Sequence, residues 1–186
     1  KFVTPQEIYN GLNPNENHIF LTFDDGYFSN SLALPILKFF NVPATFFISS
    51  NHILNNKCFW WDIIYRERIK QGYSVKSISK EIRIQKTKKN KKIDEYIINE
   101  FGENAFNPIS DIDRPFTPEE LKIFSREKLV HIGNHCIDHE ILTNYSFSEV
   151  KVIIENSQKA LKSLTGKHPM IISYPNGNYS NDVILA

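Results

Sequence analysis

The stretch His18–Ile48, HIFLTFDDGYFSNSLALPILKFFNVPATFFI, decides the architecture. Its first six residues, His18 to Phe23, are almost all apolar, which fits a strand buried on both faces as in a parallel sheet. Leu32, Leu34, Ile36, Leu37, Phe39 and Phe40 then follow at helical spacing. Pro35 is tolerated only in a first turn, so this helix is expected to start late. Asn41-Val42-Pro43 breaks it, and Ala44–Ile48 reads as a second strand. Strand, helix and strand make a β-α-β unit.

The same rhythm returns downstream. Thr117-Pro-Glu-Glu120 is a helix start, with a threonine cap, proline at the first position and glutamate three residues after the cap. Leu129–Gly133 reads as a strand. Ser146-Phe-Ser-Glu149 is a second capping box, followed by Val150, Ile153, Ile154, Leu161 and Leu164 at helical spacing, with Gly166 as the stop. Met170–Tyr174 reads as a further strand. Alternating strands and helices predict an α/β layer or barrel whose site lies at the carboxyl ends of the strands. Residues 56–115 interrupt the alternation and read as a mostly helical insertion. It opens with Cys58-Phe-Trp-Trp-Asp62 and carries five lysines in the seven positions 86–92, read as a solvated surface, with an anionic-glycan or membrane-surface contact as the minority reading.

The 186 residues suffice for one domain with a core, and 41% apolar content is ordinary for a globular chain. A net charge of +1 gives no reason to expect a nucleic-acid partner. No apolar run approaches the ~20 residues of a membrane span. Two cysteines, Cys58 and Cys136, decide nothing about redox compartment.

The chemistry concentrates at two places. Asp24-Asp25-Gly26 follows the first strand; it is a good turn signal, and it also puts two carboxylates on different sides of one strand end. One could bind a metal while the other faces a substrate and acts as base on an activated water. About 110 residues later, His135 and His139 stand four apart. One carboxylate and two imidazoles form a ligand set suited to a divalent ion with open positions. His131 shares the spacing, but it belongs to the preceding strand and is read as a bystander. Asp138 is either a partner behind the ligands or a helix-terminus charge. Cys136 is read as a small buried side chain. Tyr174-Pro-Asn-Gly177 is a strand ending in a turn whose backbone N–H groups could hold an oxyanion. His18, His52 and His168 are read as structural.

Together these residues resemble the polysaccharide deacetylases, the carbohydrate esterase family four enzymes that include chitin, chitooligosaccharide and peptidoglycan deacetylases. Thr22-Phe-Asp-Asp-Gly26 matches the family's first motif unchanged. His135 to His139 matches the second in spacing, with Cys136 where serine or threonine is usual. Leu34-Pro-Ile-Leu37, Val42–Phe47 and Ile132-Gly-Asn-His135 also look like the family. Phe59-Trp-Trp-Asp62 and Tyr174–Gly177 look like a branch found with surface-polysaccharide biosynthesis. The resemblance covers residues 18–55 and 115–186.

It implies a single domain over 1–186, a distorted, incomplete (β/α) barrel with residues 56–115 inserted. It implies that Asp25, His135 and His139 hold one divalent metal ion, commonly zinc, and that Asp24 is the general base. Tyr174, Pro175 and Asn176 would meet the substrate, a backbone N–H near Asn176 holding the oxyanion. The implied reaction is hydrolysis of the N-acetyl group of an amino sugar in a poly- or oligosaccharide, with release of acetate. Two departures stand out. Ser173 occupies the place of an arginine that orients the base. The family's late motifs, an acidic-aromatic segment and a Leu-x-His carrying the general acid, do not occur before Ala186, so the resemblance implies a C-terminally truncated chain. A non-catalytic glycan-binding protein and an amidase for small non-sugar amides are the alternatives. Oligomeric state stays open, as does location, between the cell envelope and a cytoplasmic glycan-precursor pathway.

Overall fold

Three parallel strands form the centre of the molecule in a computed structural model that describes residues 1–186. An initial helix α1 (Pro5–Asn10) is closed by a reciprocal capping box between Thr4 and Glu7. Strand β1 (Thr22–Phe23) leads through a 3₁₀ turn over 28–33 into α2 (Leu34–Phe40), with Pro35 in its first turn as expected. Asn41 ends α2 in a left-handed conformation (φ 51°), and β2 (Ala44–Ile48) follows, buried throughout. Next come the short α3 (Ser50–Asn55) and three longer helices, α4 (Trp60–Lys70), α5 (Val75–Gln85) and α6 (Asn90–Phe101). The chain then returns through α7 (Pro118–Phe124) to β3 (Val130–Asn134), α8 (Phe147–Thr165) and a last turn of helix, α9 (Asn181–Leu185). The capping boxes at Thr117 and Ser146 both form, and Gly166 stops α8 at φ 77°.

The sheet order is β1-β2-β3, all parallel, an open arc and not a closed barrel. Thr22 and Phe23 pair with Thr45 and Phe46, and Ala44–Ile48 pair with Val130–Asn134. Two expected strands are shorter than their apolar runs. Only Thr22–Phe23 of residues 18–23 joins the central sheet, while Ile19 makes an isolated bridge to Phe2 instead. Met170–Tyr174 shrinks to one bridge, Ile172 to Asn134, because this segment sits at the outer edge where β3 alone offers partners. An apolar run records burial; a ladder also needs a neighbour in register.

The main core fills the space between the sheet and α7 and α8, with Phe46, Ile48, Leu121 and Leu161 fully shielded. Phe46 stacks on Phe23 at 4.8 Å and meets Phe124 edge-on at 4.8 Å. Residues of α4, α5 and α6 bury a second cluster of their own, including Trp60, Ile63, Ile64, Ile78, Ile93 and Ile97. No helix is long and apolar enough to cross a membrane.

Gly133 in β3 faces the Phe47 ring so closely that a Cβ there would overlap it. Gly133→Ala is therefore expected to cost about 1–3 kcal/mol through overpacking, read as a lower midpoint in denaturant unfolding. An unchanged midpoint would contradict this packing.

Candidate active site

Every strand of the arc delivers something to one edge. Asp24 and Asp25 follow β1, Ser49 follows β2, His135 follows β3, and Ser173 follows the edge bridge at Ile172. The end of β2 fastens both halves of this edge. Ser49 N–H donates to Asp25 O (3.1 Å), Ser49 Oγ to His135 O (3.0 Å), and Ser50 N–H to Cys136 O (3.2 Å). Asn134 braces the loop of the histidines: its Oδ1 accepts from Cys136 N–H (2.8 Å), and its Nδ2 donates to Gln158 Oε1 on α8 (3.2 Å). Buried Glu140 clamps the loop again by accepting from Ile137 N–H (3.0 Å) and Asp138 N–H (2.8 Å). Burial lifts the Glu140 carboxyl to about 7.

These loops bring Asp25, His135 and His139 together. Nε2 of His135 and Nε2 of His139 each lie 3.4 Å from Asp25 Oδ1. The three ligand atoms all lie within 4.8 Å of one another. The convergence takes an unusual backbone. Asp25 (φ 76°), Cys136 (φ 67°), His139 (φ 54°) and Asn176 (φ 60°) all adopt left-handed conformations. Non-glycine residues populate that region only when their surroundings hold them there.

The donor set fits a divalent cation. His135 Nδ1 lies 2.8 Å from Ser173 O, so this nitrogen carries a proton, and in the neutral imidazole Nε2 presents its lone pair to a carboxylate oxygen. Lone pair against anion is unfavourable unless a cation lies between them. His139 is held neutral: burial is the largest influence, His135 adds to it, and its imidazole falls to about 3. Its Nδ1 is buried with no hydrogen-bond partner. Two ligands at about 2.1 Å from a tetrahedral ion stand about 3.4 Å apart, the separation seen on both His–Asp edges.

Asp24 is exposed beside this group, at the mouth of a cleft of ≈ 500 Å³ that it lines with Asp25, His135 and His139. Partial desolvation raises its carboxyl above the usual aspartate value; His135 opposes the shift and Asp25 adds to it. Ser173, Tyr174, Asn176 and Gly177 form another wall, while Pro175 is buried beneath them.

The remaining wall comes from residues 56–115: Trp61, Ile82 and Lys86. The Trp61 ring meets His139 edge-on at 4.5 Å and stacks on Phe59 at 4.8 Å. Its Nε1–H donates to the Tyr27 hydroxyl (3.0 Å), which donates in turn to Asp62 Oδ2 (2.5 Å). The Phe-Trp-Trp-Asp string is conspicuous in the sequence, but nothing in it says that the second tryptophan walls the imidazole. Nor does the lysine run, which reads as a solvated surface, reveal the place of Lys86.

Other side chains singled out from the sequence lie elsewhere. Asp138 accepts from Asn51 Nδ2 (2.6 Å) and ties the histidine loop to α3. The Cys136 thiol is fully buried, and burial raises it well above its ordinary value, which leaves no reactive thiolate. His131 and His168 line a separate surface hollow with Lys167, and His52 stacks on Phe59 at 3.9 Å.

Fold and site define an α/β protein with an open parallel arc and an Asp-His-His cluster at its carboxyl edge. The chain belongs to the polysaccharide deacetylase family, whose profile matches residues 11–186. Among solved structures it is similar to the deacetylase PplD from Streptococcus pyogenes in complex with acetate (TM-score 0.60, 17% identity, 100% of this chain and 59% of that one). It is similar to a polysaccharide deacetylase from Bacillus cereus (TM-score 0.60, 15% identity, 100% and 41%). It is also similar to a de-N-acetylase from Aggregatibacter actinomycetemcomitans (TM-score 0.56, 20% identity, 99% and 66%). The chain thus spans 41–66% of the length of these three. A search of curated proteins gives no match.

Proposed function

We propose that the cleft hydrolyses the N-acetyl group of an amino sugar in an oligo- or polysaccharide, with one divalent ion held by Asp25, His135 and His139. The observation that carries this reading is the convergence of those three side chains beside a second, free carboxylate in one cleft. Family membership and the acetate in the streptococcal neighbour, the product such a reaction releases, support it. Two imidazoles and one carboxylate suit Zn²⁺ with a position left for substrate or water. A bound ion supplies Lewis acidity, polarising the amide carbonyl and making water a better nucleophile.

The chain's own groups do the rest. Asp24 takes a proton from the attacking water, since it is the carboxylate of the cleft left free of the ligand cluster. Ser173 O holds the proton on His135 Nδ1 and so keeps Nε2 free to act as a ligand. The turn at Tyr174–Asn176 faces the acetamide and is the source of backbone N–H groups for the developing oxyanion. Water adds to the carbonyl carbon, the C–N bond breaks, acetate departs and the amine takes up the proton that Asp24 had accepted.

The test is acetate release from N-acetylated oligosaccharides by the zinc-loaded protein, followed by an enzymatic acetate assay. Zinc-dependent release that ceases with a chelator is the expected result. Zinc binding with no acetate from any N-acetylated sugar would contradict the proposal.

A further inference from the structure

We infer that Lys86 makes this cleft selective for acidic oligosaccharides, those carrying an anionic group on the sugar next to the reacting N-acetyl group. The inference rests on the cleft being the sugar site proposed above. Its test separates the two.

Five lysines crowd positions 86–92, and their side chains go to different places. Lys89 pairs with Glu149 at 2.6 Å, Lys92 with Glu95 at 2.7 Å, and Lys88 lies over the Tyr96 ring. Lys86 alone turns into the cleft that contains Asp24, Asp25 and the two histidines. It has no carboxylate partner there. Its Nζ donates to the neutral Asn176 Oδ1 at 2.5 Å. The Asn176 amide is itself oriented by a bond from Nδ2 to Asn178 Oδ1 at 2.7 Å.

The base of the side chain is fixed as well. Lys86 N–H donates to Ile82 O (3.0 Å) at the end of α5. Asn144, on the segment after the histidine loop, donates to Lys86 O and Lys88 O, both at 3.0 Å. The backbone of Lys86 is therefore held by two separate parts of the chain, and its ammonium is held across the cleft by Asn176.

Charge balance gives the selectivity. The two carboxylates offset a divalent ion, and Lys86 is left as the net charge of the cleft walls. The ammonium is open to solvent and has only an amide oxygen as its partner within the chain, so it gains a charge-assisted bond when a carboxylate arrives. At a solvent-exposed ammonium such a bond corresponds to about two- to fivefold in affinity. Part of it is lost as salt screens the partly open cleft.

The experiment compares two probes, a tetrasaccharide alternating glucuronate with N-acetylglucosamine and a tetramer of N-acetylglucosamine. Binding to the zinc-loaded Asp24→Asn protein is read by isothermal titration calorimetry, so that neither probe is consumed. The acidic probe is expected to bind about two- to fivefold tighter than the neutral one at low salt. Lys86→Gln, which keeps a donor for Asn176 without the charge, should abolish that preference, and Lys86→Arg should restore it. Equal binding of the two probes, a preference that survives Lys86→Gln, or an equal loss for both probes would overturn the inference, the last marking Lys86 as a mere brace for the Asn176 turn. If wild-type protein releases no acetate while the charge preference holds, the deacetylase reading falls and the anion subsite stands. Acetate release without any charge preference would leave the deacetylase reading in place and remove the anion subsite.

Discussion

Asp24→Asn is expected to lower kcat for acetate release by about 10²–10⁴-fold, the span that a positioned general base contributes. Asparagine keeps the shape of the side chain and loses only its ability to accept a proton from water. Asp24 is exposed at the cleft mouth, and its backbone carbonyl still accepts from Gly26 N–H (3.0 Å) and Asn30 Nδ2 (3.1 Å) after the substitution. The fold should therefore survive, as should zinc binding at Asp25, His135 and His139. Steady-state kinetics and metal analysis on the same sample check both halves. Full activity in Asp24→Asn would remove this residue from the mechanism.

His139→Ala carries the second large effect. Loss of a partner that merely orients a metal ligand costs about 10–100-fold in metal affinity, and loss of a ligand should exceed that range. The expected behaviour without metal is different. His139 Nδ1 is buried and unpartnered, so removing it offsets part of the packing lost against Trp61. Thermal unfolding with and without zinc separates the two contributions. Zinc at about a hundred times its dissociation constant stabilises a folded protein by about 2.7 kcal/mol, so the wild type should melt higher with zinc. The variant should show no such shift at the same concentration. An equal zinc-induced shift in both proteins would place the ion elsewhere.

The parts of the fold that could be read from the sequence are those decided locally. Pro35 and Asn41 bound α2, the Thr117 and Ser146 boxes start α7 and α8, and the β-branched and aromatic run at 44–48 is the central strand. The parts that could not depend on partners distant in the chain. Residues 18–23 and 170–174 carry the same apolar signal as β2, yet they lie at the two edges of the arc and pair over only two residues and one.

The site divides in the same way. The aspartate pair and the His-x-x-x-His spacing are visible in the chain, and a strand-end position for both follows from the alternation of elements. The left-handed turn at Asp25 falls on the Asp-Asp-Gly turn signal, but those at Cys136 and His139 that aim the imidazoles at it have no such signature. Trp61 and Lys86 reach the cleft because α4 and the end of α5 dock over it, and helical periodicity says nothing about where a helix docks.

The most direct test of a metal held by Asp25, His135 and His139 is anomalous diffraction at the zinc edge from crystals of the wild-type protein grown with zinc. One strong peak is expected, about 2.0–2.2 Å from a carboxylate oxygen of Asp25 and from Nε2 of both His135 and His139. A zinc-bearing crystal with no peak among these three side chains would contradict it.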